Sequence, residues 1–184
     1  MFNKFNILNI IKKHFSTFKT IKGQNDIINL LFYIFLPLLL SCFCYYEKCY
    51  ITENGANLII AVLAILGGFL LALPINLLDI YDKFKNFSTK DNDYIYPEDE
   101  KRIKYFFILI EETYYNIAFC CVLCILAIIS TALSIIFIKC DYAKILFSCI
   151  NYYFYGLFLL TILMITRRVF LIFETKLKYQ KRKK

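Results

Sequence analysis

The chain alternates four long apolar runs with short polar segments. Ile27–Tyr46, Leu58–Leu78, Ile117–Ile138 and Ile145–Ile165 each carry no formal charge. At 1.5 Å per residue, a helix of about 20 residues crosses a hydrocarbon core of about 30 Å. The pattern predicts an all-α membrane protein, a four-transmembrane-helix bundle with spans at 27–46, 58–78, 106–138 and 145–166. Residues 27–173 form the membrane domain, with a loop at 79–105 and a basic tail at 174–184. Ahead of the spans lies a basic arm, residues 1–26. There Phe5, Leu8, Ile11, Phe15 and Phe18 fall on one helical face, which predicts an amphipathic helix on the membrane surface.

Each span has a flank unlike the rest of it. In the first, Asn29, Tyr33, Pro37 and Ser41 recur every four residues, and Pro37 removes a backbone hydrogen bond near the middle. The second carries a small-residue stripe, Ala64, Gly68 and Ala72, which lets another backbone approach closely. The stripe does not say whether that backbone belongs to the same chain. The third aligns Asn116, Cys120, Cys124, Ala127 and Thr131, and the fourth aligns Ser148, Asn151, Tyr152 and Tyr155. Polar flanks face a bundle interior or a water-filled path rather than lipid. Four helices enclose little space, so a pore would need several copies of the chain. In the loop, Pro97 or Asp99 is placed to start a helix that continues into the third span.

Composition supports this layout. The chain has 184 residues and is 60% hydrophobic, against about 45–50% in soluble domains. The N-terminus, MFNKFNILNIIKKHF, is basic throughout and lacks the small-residue cleavage site of a signal peptide. Abundant Ile, Phe, Tyr, Asn and Lys with no Trp suggest an AT-rich, bacterial coding sequence. Of the 22 Lys and Arg residues, only Lys48, Lys139 and Lys144 lie in the first and third loops. The other basic residues lie in the N-terminal arm, the 79–105 loop and the C-terminal end. By the positive-inside rule both termini and the 79–105 loop are cytoplasmic.

Candidate chemistry begins with FFILIEETYYNIAF, residues 106–119. Charge within a span is costly and suggests a functional site. The expected topology puts Glu111 and Glu112 at the cytoplasmic end of the third span, level with Asp79 and with Arg167 and Arg168. An arginine there can grip a carboxylate through two hydrogen bonds. A lock between helices, a gate and a transport site are all open to this layer; its depth favours the lock.

Eight cysteines raise a redox reading. Four spans with outward thiols superficially resemble the quinone-linked disulfide oxidases of bacteria. Those enzymes, however, carry CxxC at the first outer loop, where this chain has Cys42-Phe-Cys44. Buried cysteine is usually a small hydrophobe. A Cys49–Cys140 disulfide between the outer loops stays open in an oxidising compartment. No catalytic, metal-ligand or cofactor motif stands out, and no nucleic-acid-binding fold fits in the remaining chain.

Three stretches carry a resemblance: HFSTFKTIKGQNDIINLLFYIFLPLLLS, LAILGGFLLALPINLLDIY and FLLTILMITRRVFLIFE. Together they resemble small four-span membrane proteins of bacterial anti-phage loci, such as the membrane component of the Kiwa system and the four-span effectors of abortive infection. The resemblance implies a non-enzymatic inner-membrane protein that senses membrane perturbation or disrupts membrane integrity. It would act as a homo-oligomer in the lipid bilayer, with a cytosolic partner at the 79–105 loop and the termini. A small ion channel or transporter subunit is the alternative, and a thiol–quinone oxidoreductase a third.

Overall fold

A computed structural model of the protein describes residues 7–18, 27–90, 97–137 and 141–182. The fold is helical: α1 Ile7–Ser16, α2 Ile27–Tyr46, α3 Glu53–Lys90, α4 Pro97–Ile136 and α5 Asp141–Arg182. Four of these, α2 to α5, are long and apolar enough to cross a membrane.

The ends of the helices follow local chemistry. Thr52 caps α3: its Oγ1 accepts the amide of Gly55 at 3.2 Å and its carbonyl accepts that of Ala56 at 2.8 Å. α4 starts on Pro97, whose missing N–H costs nothing in a first turn. After α2 the backbone of Lys48 turns left-handed, with φ of 50°, and the amides of Lys48 and Cys49 bond back to the carbonyls of Tyr45 and Cys44. That is a Schellman cap.

Three helices outrun the bilayer. α3, α4 and α5 have 38, 40 and 42 residues, so each is about 57–63 Å long against a core of about 30 Å. The stretch expected as a loop at 79–105 is therefore helical to Lys90 and again from Pro97. The stretch expected as a tail continues α5 to Arg182. The apolar runs stop, but the backbone keeps its helical hydrogen-bonding pattern beyond them. The C-terminal ends of α3 and α5 and the N-terminal end of α4 share one end of the bundle, the proximal end. The residues joining α2 to α3 and α4 to α5 mark the distal end.

The spans form a row, in the order α2, α5, α4, α3, and α1 packs against α4. Among the described residues, α3 packs against α4 alone. Its contact face is Leu63, Leu70 and Leu77, one residue every two turns, all buried. Between them Gly67 leaves room for Cys124: a Cβ on Gly67 would lie 3.3 Å from the Cys124 sulfur. The Cys124 thiol donates to the Leu63 carbonyl at 3.2 Å. Ala64, Gly68 and Ala72 point elsewhere. Ala64 and Ala72 are exposed, and a Cβ on Gly68 would meet nothing within 4 Å.

On the other side of the row, α2 meets α5 along the Tyr33, Pro37 and Ser41 flank. Gly156 sits against Pro37 so closely that a Cβ there would be 2.8 Å from the proline Cβ. Ser41 Oγ donates to the Cys149 carbonyl at 2.7 Å. Tyr33 and Thr161 join their hydroxyls at 2.6 Å. Because the Thr161 hydroxyl already donates to the Leu157 carbonyl, the tyrosine must be the donor to it.

Candidate functional site

A buried polar cluster lies at the proximal half, where α1 docks. α1 is amphipathic, and its packed face is turned from the one its apolar residues suggest. Leu8 is 78% exposed and Phe15 is only partly covered, its ring edge-on to those of Tyr33 and Phe119, while His14 has no exposure. Ile10, His14 and Thr17, spaced four and three apart, lie inward, with Ile11 and Phe18 beside them. One flank of α1 thus meets protein and the other, with Ile7 and Leu8, is exposed.

His14 carries the docking. Its Nδ1 donates to Asn116 Oδ1 at 2.8 Å, and its ring stacks on Phe119 with centroids 3.9 Å apart and planes within 10°. The rings of Phe18 and Tyr33 stand within 6 Å of it. Thr17 closes the turn by donating to the His14 carbonyl at 2.7 Å, and the same hydroxyl lies 3.2 Å from Asn116 Oδ1. Burial is the main cause that lowers the His14 pKa from 6.5 to about 4; the Asn116 bond opposes this and the Arg168 charge adds to it. The imidazole is therefore neutral at pH 7. Two polar atoms here lack a hydrogen-bond partner, His14 Nε2 and Asn116 Nδ2.

Arg168 fastens the end of α1 to the row. Its Nη2 donates to the Thr17 carbonyl at 3.0 Å. Its Nη1 lies 3.2 Å from Glu112 Oε2, off the line of a hydrogen bond. The contact is thus a Coulombic pair rather than the two-bonded grip expected of arginine. The side chains are 12% and 29% exposed, so the pair is shielded far more than a surface ion pair. Lys13 lies over the Tyr115 ring, 5.1 Å from its centroid.

The rest of the expected charge layer is spread out. Glu111 and Arg167 are exposed, and Glu111 accepts a bond from Tyr115 at 3.3 Å. Asp79 lies on the exposed flank of α3. Neighbouring residues on a helix point about 100° apart, so only one of each adjacent pair reaches the interface.

The polar stripes of α4 and α5 meet each other in the distal half. Ser130 bonds to Asn151. Thr131 Oγ1 donates to the Ala127 carbonyl at 2.7 Å, which makes Tyr155 the donor in their 2.5 Å contact. Ser148 is buried and lies 3.4 Å from the Ile51 amide, and Tyr152 is half-buried. Asn116, the remaining stripe residue, faces α1 instead. Cys49 is exposed, and Cys140, its expected partner, lies outside the described residues.

Sequence reasoning missed His14 and Thr17. The signal was the Ile10, His14, Thr17 spacing, which marks a helix face as clearly as the apolar residues do. What the cluster can do is mechanical: a histidine without exposure reaches no substrate, but it ties a short helix to two spans. Comparison with protein-family models, with curated proteins and with solved structures finds no match.

Proposed function

We propose that this chain is a non-enzymatic component of a bacterial inner membrane that acts in anti-phage defence, with α1 as its sensing element. The observation that carries the sensing role is the buried His14–Asn116 bond, which holds a helix whose other flank, Ile7 and Leu8, is exposed. A change in lipid packing acts on that apolar flank and competes with the polar clasp. When the bilayer wins, α1 leaves, and Arg168 and Asn116 lose their partners on it.

The defence setting rests on the resemblance of the three quoted stretches. The orientation, both termini inside, rests on the excess of Lys and Arg in the N-terminal arm, the 79–105 stretch and the C-terminal end of the sequence. In that orientation the extensions of α3, α4 and α5 reach into the cytosol and offer a helical platform to a partner protein. The exposed apolar faces of the row, with Ile65, Phe69 and Ile75 on α3, suit lipid or further copies of the chain in a homo-oligomer.

The test is membrane potential, followed with a potential-sensitive dye in cells expressing the chain, before and during phage infection. The expected result is phage protection with depolarisation that needs infection in the native chain, and depolarisation that no longer needs infection in Asn116→Ala. Depolarisation by the native chain on expression alone would instead carry the reading of an ungated channel subunit. No protection and no change in potential with either form would overturn the proposal.

A further inference from the structure

The distal end holds a pair of thiols placed by backbone geometry. In the cap that ends α2, the amide of Cys49 bonds to the carbonyl of Cys44 at 2.9 Å. In a Schellman cap these two positions bring their side chains together, usually as a hydrophobic contact. Here both positions are cysteine. Standard bond lengths on either side of the 2.9 Å contact limit the two Cα atoms to a separation of about 6.8 Å. A disulfide spans about 4.4–6.8 Å between Cα atoms. The left-handed Lys48 makes the turn that closes this distance. Cys44 is buried and Cys49 exposed, so one thiol meets an oxidant and the other resolves the product.

We propose that Cys44 and Cys49 form a reversible disulfide across the α2 cap, a thiol-modification site that clamps the first distal loop. The oxidant is a disulfide, such as oxidised glutathione or a dithiol oxidase. The Cys49 thiolate attacks one sulfur of the oxidant, whose S–S bond breaks and releases one thiol. The Cys44 thiolate then attacks Cys49 in the mixed disulfide and releases the second thiol. Two electrons pass to the oxidant, and its two sulfurs leave with the two protons. The clamp acts on a loop already tied to α5, through Ile51 to Ser148 and through Tyr50 under the Lys144 ammonium. The pairing rests on the cap alone and does not depend on which face of the membrane is outside.

The full chain in detergent, incubated with oxidised glutathione, tests this. The Lys48–Cys49 bond is a trypsin site, so a disulfide leaves peptides 23–48 and 49–83 joined until reduced. The expected product is that pair, minus two hydrogens. It persists in Cys42→Ser and disappears in Cys44→Ser, where Cys49 becomes open to alkylation. The exposed-site variant Cys49→Ser gives the same loss without touching the buried cysteine. Linkage of Cys49 to Cys140 or of Cys42 to Cys149 would overturn the pairing. So would alkylation of both Cys44 and Cys49 in the native chain after oxidation.

Discussion

Asn116→Ala removes the acceptor on which α1 docks. The alanine leaves His14 Nδ1–H without its 2.8 Å partner in a site with no exposure. A buried donor stripped of its acceptor costs about 1–3 kcal/mol. Loss of the already unpaired Asn116 Nδ2 offsets part of this, so the net loss is about 1–2 kcal/mol. That lowers the docking equilibrium about 5–30-fold. α1 has 10 residues, too few to stay helical by itself, so an undocked α1 exposes its amides. Hydrogen exchange of the full chain in lipid nanodiscs reads the change directly. Amides of residues 11–16 should exchange about 5–30-fold faster, while those of residues 157–165 in α5 keep their native rates. The double variant His14→Leu, Asn116→Ala removes the stranded donor as well and should recover part of the loss. Unchanged exchange in Asn116→Ala would refute the role of the bond. A matching rise throughout α4 and α5 would show a general loss of stability instead.

Two more predictions follow from single contacts. Acid should undock α1: the docked His14 pKa lies below its free value, so the full contribution is present above about pH 6.5 and fades towards pH 4. From pH 7 to 5 docking weakens about 20-fold, measured as exchange of α1 corrected for intrinsic rates. The groups that face His14, Arg168 on α5 and Glu112 on α4, are present in both forms, so His14→Leu should remove most of the pH dependence. Gly156→Ala forces a Cβ to 2.8 Å from Pro37. It should cost about 1–3 kcal/mol by overpacking, less up to about 1 kcal/mol of helix propensity. Gly68→Ala, with open space around it, should be neutral or stabilising by up to about 1 kcal/mol; unfolding in mixed detergent compares the two.

The spans were legible because run length alone sets them: α2 occupies the residues that the apolar run marks, Ile27–Tyr46. The flank through Tyr33 and Pro37 was legible too, since a polar or kinked face in a span has few places to go except inward. Rotation about the helix axis was not legible where two candidates stood side by side. Glu111 and Glu112 share a depth, and so do Arg167 and Arg168, but only Glu112 and Arg168 meet. On α3 the small residues drew attention, yet the packed face is Leu63, Leu70 and Leu77 around Gly67. Shape is set by what the neighbour brings, and Cys124 fits beside Gly67 rather than Gly68. His14 escaped because a basic arm reads as a surface. A neutral histidine paired with an asparagine behaves as a core residue, and hydropathy counts it as neither.

The relative strength of these contacts says where the molecule opens first. Lipid tails are as apolar as leucine, so spans are held by close packing and polar bonds rather than by exclusion from water. The α2–α5 and α3–α4 contacts repeat over many turns, with Gly156 against Pro37 and the leucine row against α4. α1 has no such length. Its hold is concentrated in His14, Thr17 and the ring stack on Phe119, with Arg168 gripping the last carbonyl. Elements with few contacts open with the smallest free energy, and α1 is the described helix with the fewest. Its detachment also strands Arg168, which keeps Glu112 as its remaining partner. A perturbation of the bilayer therefore acts first on α1, and through Arg168 it is felt at the junction of α4 and α5, the two helices at the centre of the row.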